Sequence, residues 1–173
     1  MNLYLKPLIF LLFFSALHFG YDLTGWNFLI PFCGVNESLF QHLKMAFWAY
    51  LLLTTFVEYP LVRKKMEKEP LNFWYSRLLS TIILPWFIII IWYLQPALFG
   101  KTTLLLADLI WAIGVTYFSA LVIGALERDT EKIEFSPLTK YILLLLLLIS
   151  GFLFIWFTYR PPWIDLFINP EGL

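Results

Sequence analysis

The sequence predicts an all-α integral membrane protein: a bundle of five transmembrane helices in a single domain, residues 1–173. Three observations predict this class. The chain of 173 residues is 61% apolar and only 14% charged, whereas soluble domains are about half apolar and a quarter charged. A globular core of this length is too small to bury so much apolar surface. Five segments are also long and apolar enough to cross a bilayer.

Composition also limits the classes of partner and location. The 12 Lys and Arg residues balance the 12 Asp and Glu residues, so we expect no basic surface of the kind that binds nucleic acid. The apolar content excludes a disordered chain. Cys33 is the only cysteine, so no intramolecular disulfide forms. We expect a multi-pass protein of the cell membrane, surrounded by membrane lipids.

A membrane-spanning helix needs about 20 mostly apolar residues. The predicted spans are about residues 3–19, 45–62, 78–100, 102–126 and 141–159.

Each predicted span has its own feature. The first carries Lys6, and because no small-x-small cleavage pattern follows it, we expect a retained helix rather than a signal peptide. The second is interrupted by Glu58, which we expect to pair with Arg63 or to snorkel. The third contains no charge. The fourth contains Asp108, seven residues after Lys101 and therefore ~10 Å into the span at 1.5 Å per residue. The fifth contains an unbroken leucine run.

The distribution of basic residues predicts the orientation. Lys and Arg collect in cytoplasmic connections, and nine of the 12 basic residues fall on one predicted side. We therefore expect a cytoplasmic N-terminus and an extracytoplasmic C-terminus, and we interpret the charged stretches 63–69 and 127–132 as solvated loops. The nine residues are Lys6, Arg63, Lys64, Lys65, Lys68, Arg77, Arg128, Lys132 and Lys140; the three on the other side are Lys44, Lys101 and Arg160.

The start of the second helix has a structural interpretation. Ser38 and Gln41 fit the capping-box pattern, in which the serine caps the helix and the glutamine returns to the serine N–H. Asn36 then makes the preceding turn, and Glu37 lies near the positive helix end. Lys44, one turn further, is expected to snorkel to the interface.

The same region supports a chemical interpretation, because both histidines of the chain lie on the predicted outer side. The candidate catalytic residues are His18, Asp22, Glu37, His42 and Asp108. Four of them, His18, Asp22, His42 and Asp108, are candidate metal ligands. His18 and Asp22 share a helix face by their i,i+4 spacing. Imidazoles and carboxylates that converge here can hold a zinc ion with an open water position, form a proton relay, or simply pair between helices.

The run from Asn36 to Lys44 resembles a signature, N-E-S-x-x-E-H-x-K, of a family of small prokaryotic multipass membrane proteins classed as a domain of unknown function. Gln41 stands where the signature has an acidic residue. His18 and its aromatic neighbours resemble the end of that family's first helix. The tail, with Arg160-Pro161-Pro162 and Asn169-Pro170, resembles its proline-rich C-terminal end. The resemblance implies a multipass membrane protein and no established activity.

A second, weaker resemblance is to alkaline-ceramidase-like membrane hydrolases. Ser38 and His42, with Asp108, are similar to the S-x-x-x-H element and the membrane aspartate that contribute to the zinc site of those enzymes. No histidine follows His42 in this chain, so the later histidine pair of that family has no counterpart, and His18 alone can replace one ligand.

These observations support three functional hypotheses. The first is a structural or accessory membrane protein that acts beside a membrane partner or a second copy of itself. The alternative is a zinc-assisted membrane hydrolase with a lipid-like substrate. The third is a small carrier or channel subunit, with Asp108 and the histidines lining its path. The separation of His18, His42 and Asp108 discriminates among them.

Overall fold

The computed structural model describes residues 1–64, 71–100 and 104–169, and within these ranges it contains helices and no strands. Two 3-10 turns, Asn27–Leu29 and Asp165–Phe167, lie outside the α-helices. The α-helices are α1 (Leu5–Thr24), α2 (Leu39–Leu53), α3 (Tyr59–Arg63), α4 (Leu71–Phe99), α5 (Leu105–Thr130) and α6 (Pro137–Tyr159).

Among the described residues, five helical segments are long and apolar enough to cross a membrane, in agreement with the predicted number. The observed segments are Leu5–Thr24, Leu39–Arg63, Asn72–Phe99, Leu106–Thr130 and Pro137–Tyr159.

Several boundaries differ from prediction. The second segment begins at Leu39 rather than 45, and the third is already helical at Leu71, before the predicted start at 78. In both cases a basic residue that marks a hydrated end in the sequence lies inside the helix: Lys44 is fully buried and Arg77 is 4% exposed. The last segment begins at Pro137 because the Ser136 side chain caps it, accepting the N–H of Thr139. Five predicted outer or loop charges lie outside the described residues: Lys65, Glu67, Lys68, Glu69 and Lys101.

A π-helical turn, Thr54–Glu58, joins α2 to α3 within one continuous helix. Pro60 has no N–H, so the carbonyl of Phe56 receives no regular helical bond. The Tyr59 N–H reaches back five residues to the carbonyl of Thr54, as in a π turn. Glu58 is the last residue of this turn.

The core of the bundle lies among α1, α2, α4 and α5, and α6 packs against α4. Its centre contains Phe10 and Tyr50, whose rings meet edge-on with centroids 5.8 Å apart and which are both fully buried. After α6, the C-terminal segment folds back, and Phe167 stacks on Phe40 of α2 with centroids 4.3 Å apart. An apolar cavity of about 280 Å³ lies between this segment, α2, α4 and α6.

Candidate functional site

Two groups of polar side chains lie at opposite ends of α1. We call the first, His18, Glu37 and His42, the histidine cluster. One nitrogen from each ring and one carboxylate oxygen lie within 4.8 Å of one another. The Nε2 atoms of His18 and His42 are 3.7 Å and 3.5 Å from the Glu37 carboxylate, and the two rings are 5.4 Å apart.

The local fold brings these three residues together from α1, the following connection and α2. Gly25 ends α1 in the left-handed region, at φ 65°, which allows the chain to turn away from the helix. The connection returns beside α1, where the Gly34 N–H donates to the carbonyl of Leu17. The Asn36 side chain then accepts the Ser38 N–H, and this turn places Glu37 between the two histidines.

The backbone sets the chemical state of His42. Its Nδ1 lies 3.0 Å from the carbonyl oxygen of Ser38, which can only accept a hydrogen bond, so Nδ1 carries a proton. A neutral ring therefore presents the lone pair of Nε2 toward the Glu37 carboxylate. Two acceptors face each other in that state, and the contact becomes favourable only when a proton or a metal cation lies between them.

His18 completes the cluster with an incompletely satisfied ring. Its Nδ1 is buried and has no hydrogen-bond partner among the described residues. Phe14 stacks against both imidazoles, with centroids 6.4 Å from His18 and 6.2 Å from His42. Phe19 contacts His18 edge-on at 4.7 Å. The aromatic neighbours limit the movement of both rings and shield one side of the cluster.

The structure does not bring Asp22 or Asp108 into the group that satisfies the metal-site distances within the described residues. Both side chains are exposed. Asp108 lies in the first turn of α5, which begins at Leu105 rather than near 102, while its depth of ~10 Å in the membrane stays a prediction.

The predicted capping box is not formed. Ser38 does occupy the N-cap position, but its side chain makes no capping hydrogen bond. Its N–H is taken by Asn36 rather than by Gln41, and Gln41 Oε1 is buried without a partner among the described residues. The sequence pattern is compatible with two local hydrogen-bond arrangements, and the turn at Asn36 replaces the one expected.

Lys44 does not snorkel. It is fully buried, and its Nζ donates to the carbonyl of Ile30 at 2.9 Å and to Thr158 Oγ1 at 3.2 Å. Lys44 thus joins α2 to the preceding connection and to α6. This role depends on contacts far apart in sequence, which helix-end patterns do not reveal.

We call the second polar group, Lys6, Glu58, Arg77 and Glu127, the ion ring, because its charges alternate around a closed circuit. Lys6 Nζ lies 2.7 Å from Glu58 and also contacts Glu127. Arg77 lies 2.9 Å from Glu58 and 3.4 Å from Glu127. All four side chains are at most 5% exposed. The ring joins α1, the π turn, α4 and α5.

Two further side chains extend the ion ring. The Tyr50 hydroxyl donates to Glu127 at 2.9 Å, and Arg77 Nη1 lies 2.7 Å from Glu131. A polar cavity of about 150 Å³ reaches the ring from the N-terminal residues and is bordered by Gly124 and Arg128. This end of the bundle therefore combines buried charges with a polar opening.

The ion ring overturns two sequence interpretations and adds a role to a third residue. Glu58 pairs with Lys6 and Arg77 rather than with Arg63 among the described residues. Glu127 is 2% exposed and is not part of a solvated loop. Lys6 is a buried partner as well as a basic residue near the N-terminus. One sequence signal was available: Lys6, Phe10, Phe14 and His18 follow each other at i,i+4 and therefore share one face of α1.

Comparisons with known proteins identify a family and no activity. The profile of a family of unknown function (DUF6512) matches residues 2–171. No curated protein and no solved structure matches the chain. The N-E-S-x-x-E-H-x-K signature and the similarity to alkaline-ceramidase-like hydrolases stay predictions. Because the matching profile covers nearly the whole sequence, the chain belongs to the DUF6512 family, whose function is unknown.

Proposed function

We propose that this protein is a multipass membrane protein that binds a zinc-like divalent metal ion through His18, Glu37 and His42. The observation that carries the proposal is the approach of two imidazole nitrogens and one carboxylate oxygen to within 4.8 Å of one another. Metal–ligand bonds of ~2.0 Å in a tetrahedral site separate the ligand atoms by about 3.3 Å. The cluster therefore needs to contract by only about 1.5 Å at its widest pair.

The chemistry of the three residues also favours a metal. Two histidines and one glutamate form a ligand set of the kind found in catalytic zinc sites, where a fourth position holds water or substrate. His42 Nδ1 donates a hydrogen bond to the Ser38 carbonyl. In metal sites, such a bond from the nitrogen that does not bind the metal typically orients the imidazole. The buried, unpaired Nδ1 of His18 leaves both nitrogens of that ring available for metal binding or for water.

The surroundings of the bundle support the membrane part of the proposal. Apolar side chains such as Leu12 and Leu148, each 70% exposed, project from helices of membrane-spanning length, and lipid is the solvent that accommodates them. We propose the cell membrane as the location, with the N-terminus in the cytoplasm because most basic residues lie on that side. The histidine cluster then faces the extracytoplasmic side.

Metal binding is tested on the full-length protein, purified in detergent without a histidine tag and stripped with a chelator. We expect one zinc per chain by element analysis after dialysis. Cobalt, used as a spectroscopic probe, should give the visible absorption of a tetrahedral site. His18→Ala, His42→Ala and Glu37→Gln should each weaken zinc binding by more than the ~10–100-fold typical of second-shell changes.

Matched controls separate this site from the wider set of acidic residues. Asp22→Asn and Asp108→Asn change exposed carboxylates outside the cluster, so both variants should keep one zinc per chain. Zinc stoichiometry that is unaffected by both histidine substitutions contradicts the proposal. Loss of zinc in Asp108→Asn would instead support the ligand set predicted from the sequence.

A zinc-assisted hydrolase is the second candidate, favoured by a set of three protein ligands, which would leave one position for water on a bound zinc, and by the apolar cavity of about 280 Å³. Phe40 and Leu43 of α2 line that cavity, while the histidines do not, so a lipid-like substrate bound there has to extend beyond the cavity to reach them. Zinc-dependent release of fatty acid from a lipid ester or amide, lost in His42→Ala, tests this candidate. An accessory role beside a partner or second copy, and a carrier role, stay predictions.

A further inference from the structure

The histidine cluster and the ion ring are joined by a continuous column of aromatic side chains. Phe14 stacks on both histidines, and the Phe10 ring lies 6.1 Å from Phe14 and 5.8 Å from Tyr50. Tyr50 makes two contacts with the ion ring. Its ring lies under Lys6 Nζ at 4.8 Å, and its hydroxyl donates to Glu127. Each step of the column is a direct contact.

The column lies on one face of α1, between Lys6 at one end and His18 at the other. Twelve residues separate these two, about 18 Å along the helix. Phe10 and Tyr50 are fully buried at its centre, and close-packed interiors transmit displacement because they compress little. A movement of α1 against α2 at the histidines therefore has to be accommodated near Lys6.

Metal binding can drive such a movement. Ligand atoms that are up to 4.8 Å apart have to approach to about 3.3 Å, which draws the ends of α1 and α2 together at the histidines. We expect the packed Phe10–Tyr50 contact to act as a pivot for this movement. Closure on one side of the pivot separates α1 from α2 on the other side, where Lys6 contacts Glu58.

We infer that metal occupancy of the histidine cluster is coupled through this column to the ion ring, so that bound metal loosens Lys6 from the ring and widens the polar cavity. The inference rests on the proposed metal site. Glu58 is the residue of the ring best placed to respond, because it ends the π turn, and π turns are frequent at functional positions in helices. The protein then links a metal on one side of the membrane to a structural change on the other.

The first test measures zinc affinity in Glu58→Gln. Coupling is reciprocal, so weakening the ion ring should favour the metal-bound state and tighten zinc binding by about five-fold or more, the usual lower range of allosteric coupling. Simple electrostatics predicts the opposite sign, because removing a negative charge weakens the attraction for a cation. Glu134→Gln, which changes an exposed carboxylate, is the matched control and should leave the affinity unchanged.

The second test measures access to the polar cavity. Gly124 borders this cavity, and a Cβ there meets only ordinary contacts with Leu3 and Lys6 at 3.7 and 3.8 Å. In a Cys33→Ala background, Gly124→Cys should react with a water-soluble maleimide several-fold faster when zinc is bound. Adding Phe10→Leu should remove this acceleration while one zinc still binds per chain, and adding Phe152→Leu, an exposed phenylalanine of α6, should not.

The outcomes separate the inference from the proposal on which it rests. If the unmodified protein binds no zinc, the proposed function and the coupling both fail. If zinc binds with one ion per chain but Glu58→Gln leaves the affinity unchanged or weaker, the coupling alone is overturned. If the acceleration persists in Phe10→Leu, the aromatic column does not carry it.

Discussion

Lys6 shows how strongly the role of a single residue depends on the tertiary structure. In the sequence it is a basic residue near the N-terminus, and in the structure it is 3% exposed and contacts two buried carboxylates. Removing one partner of a buried ion pair usually costs ~3–5 kcal/mol because the other charge stays buried and unpaired. Lys6 therefore makes a larger contribution to the stability of the bundle than an exposed lysine does.

We predict that Lys6→Met lowers the free energy of unfolding by about 3–5 kcal/mol, measured by thermal or denaturant unfolding in detergent. Lys132→Met is the control. Lys132 pairs with Asp129 at 2.8 Å, but both side chains are at least 75% exposed, and surface pairs contribute about 0–1 kcal/mol. Equal losses in the two variants would show that the ion ring is not buried in this way.

Asn36 and Ser38 provide a second prediction at this scale. Asn36 accepts the Ser38 N–H, whereas the Ser38 side chain makes no capping bond. Asn36→Ala should therefore cost about 1 kcal/mol of stability, as for other side-chain bonds to the backbone at helix starts. Ser38→Ala should cost less. Unfolding measurements on the two variants check which stability loss is larger. A larger loss in Ser38→Ala would support the predicted capping box.

Cys33 gives a prediction that depends on pH. The thiol is 1% exposed, and burial raises its pKa, with Lys44 opposing part of the shift. Because the thiolate is the reactive form, alkylation of the folded protein should be slower at pH 8 than that of a free cysteine. The pH at which the alkylation rate of Cys33 rises should be higher than for a free cysteine. Unfolding the protein should also increase this rate. Rapid labelling at neutral pH would contradict the buried position.

At the scale of the helix, two glycines have opposite roles. Gly25 ends α1 at φ 65°, a conformation that L-residues rarely adopt, while Gly114 lies inside α5 with space for a Cβ. Gly25→Ala should destabilise the protein by about 1–2 kcal/mol through backbone strain. Gly114→Ala should stabilise it by about 0.5–1 kcal/mol, because alanine favours helix interiors. Changes of the same sign in both variants would contradict these helix boundaries.

The helices themselves were predictable, and their ends were not. Five apolar segments of about 20 residues predicted five helices, since apolar length alone decides whether a helix can cross a bilayer. The helices extend N-terminally past the predicted span starts at 45 and 78, because Lys44 and Arg77 are buried inside the bundle. A basic residue ends a predicted span only when it is hydrated, and the partners that make burial possible, such as Thr158 and Glu58, are distant in the sequence.

For the whole molecule, the orientation is a prediction that the structure leaves to experiment. Reporter fusions should place the N-terminus in the cytoplasm and the C-terminus outside, because nine of the 12 basic residues lie on the predicted cytoplasmic side. Fusions of alkaline phosphatase, which is active outside, and of a fluorescent protein that folds in the cytoplasm check both ends. Activity of the phosphatase fused at the N-terminus would reverse the assignment.

The sequence by itself determined the class of the protein: apolar length gives the number of helices, and hydropathy needs no partner to be interpreted. It also named His18, Glu37 and His42 among five candidates for one site, although Glu37 was not among the predicted metal ligands. Only the tertiary structure decided which candidates meet, leaving Asp22 and Asp108 outside the group, and only it showed the ion ring. The reason is physical: burial of a charge depends on the charges that other helices bring to it, and those contacts span up to 121 positions in the chain.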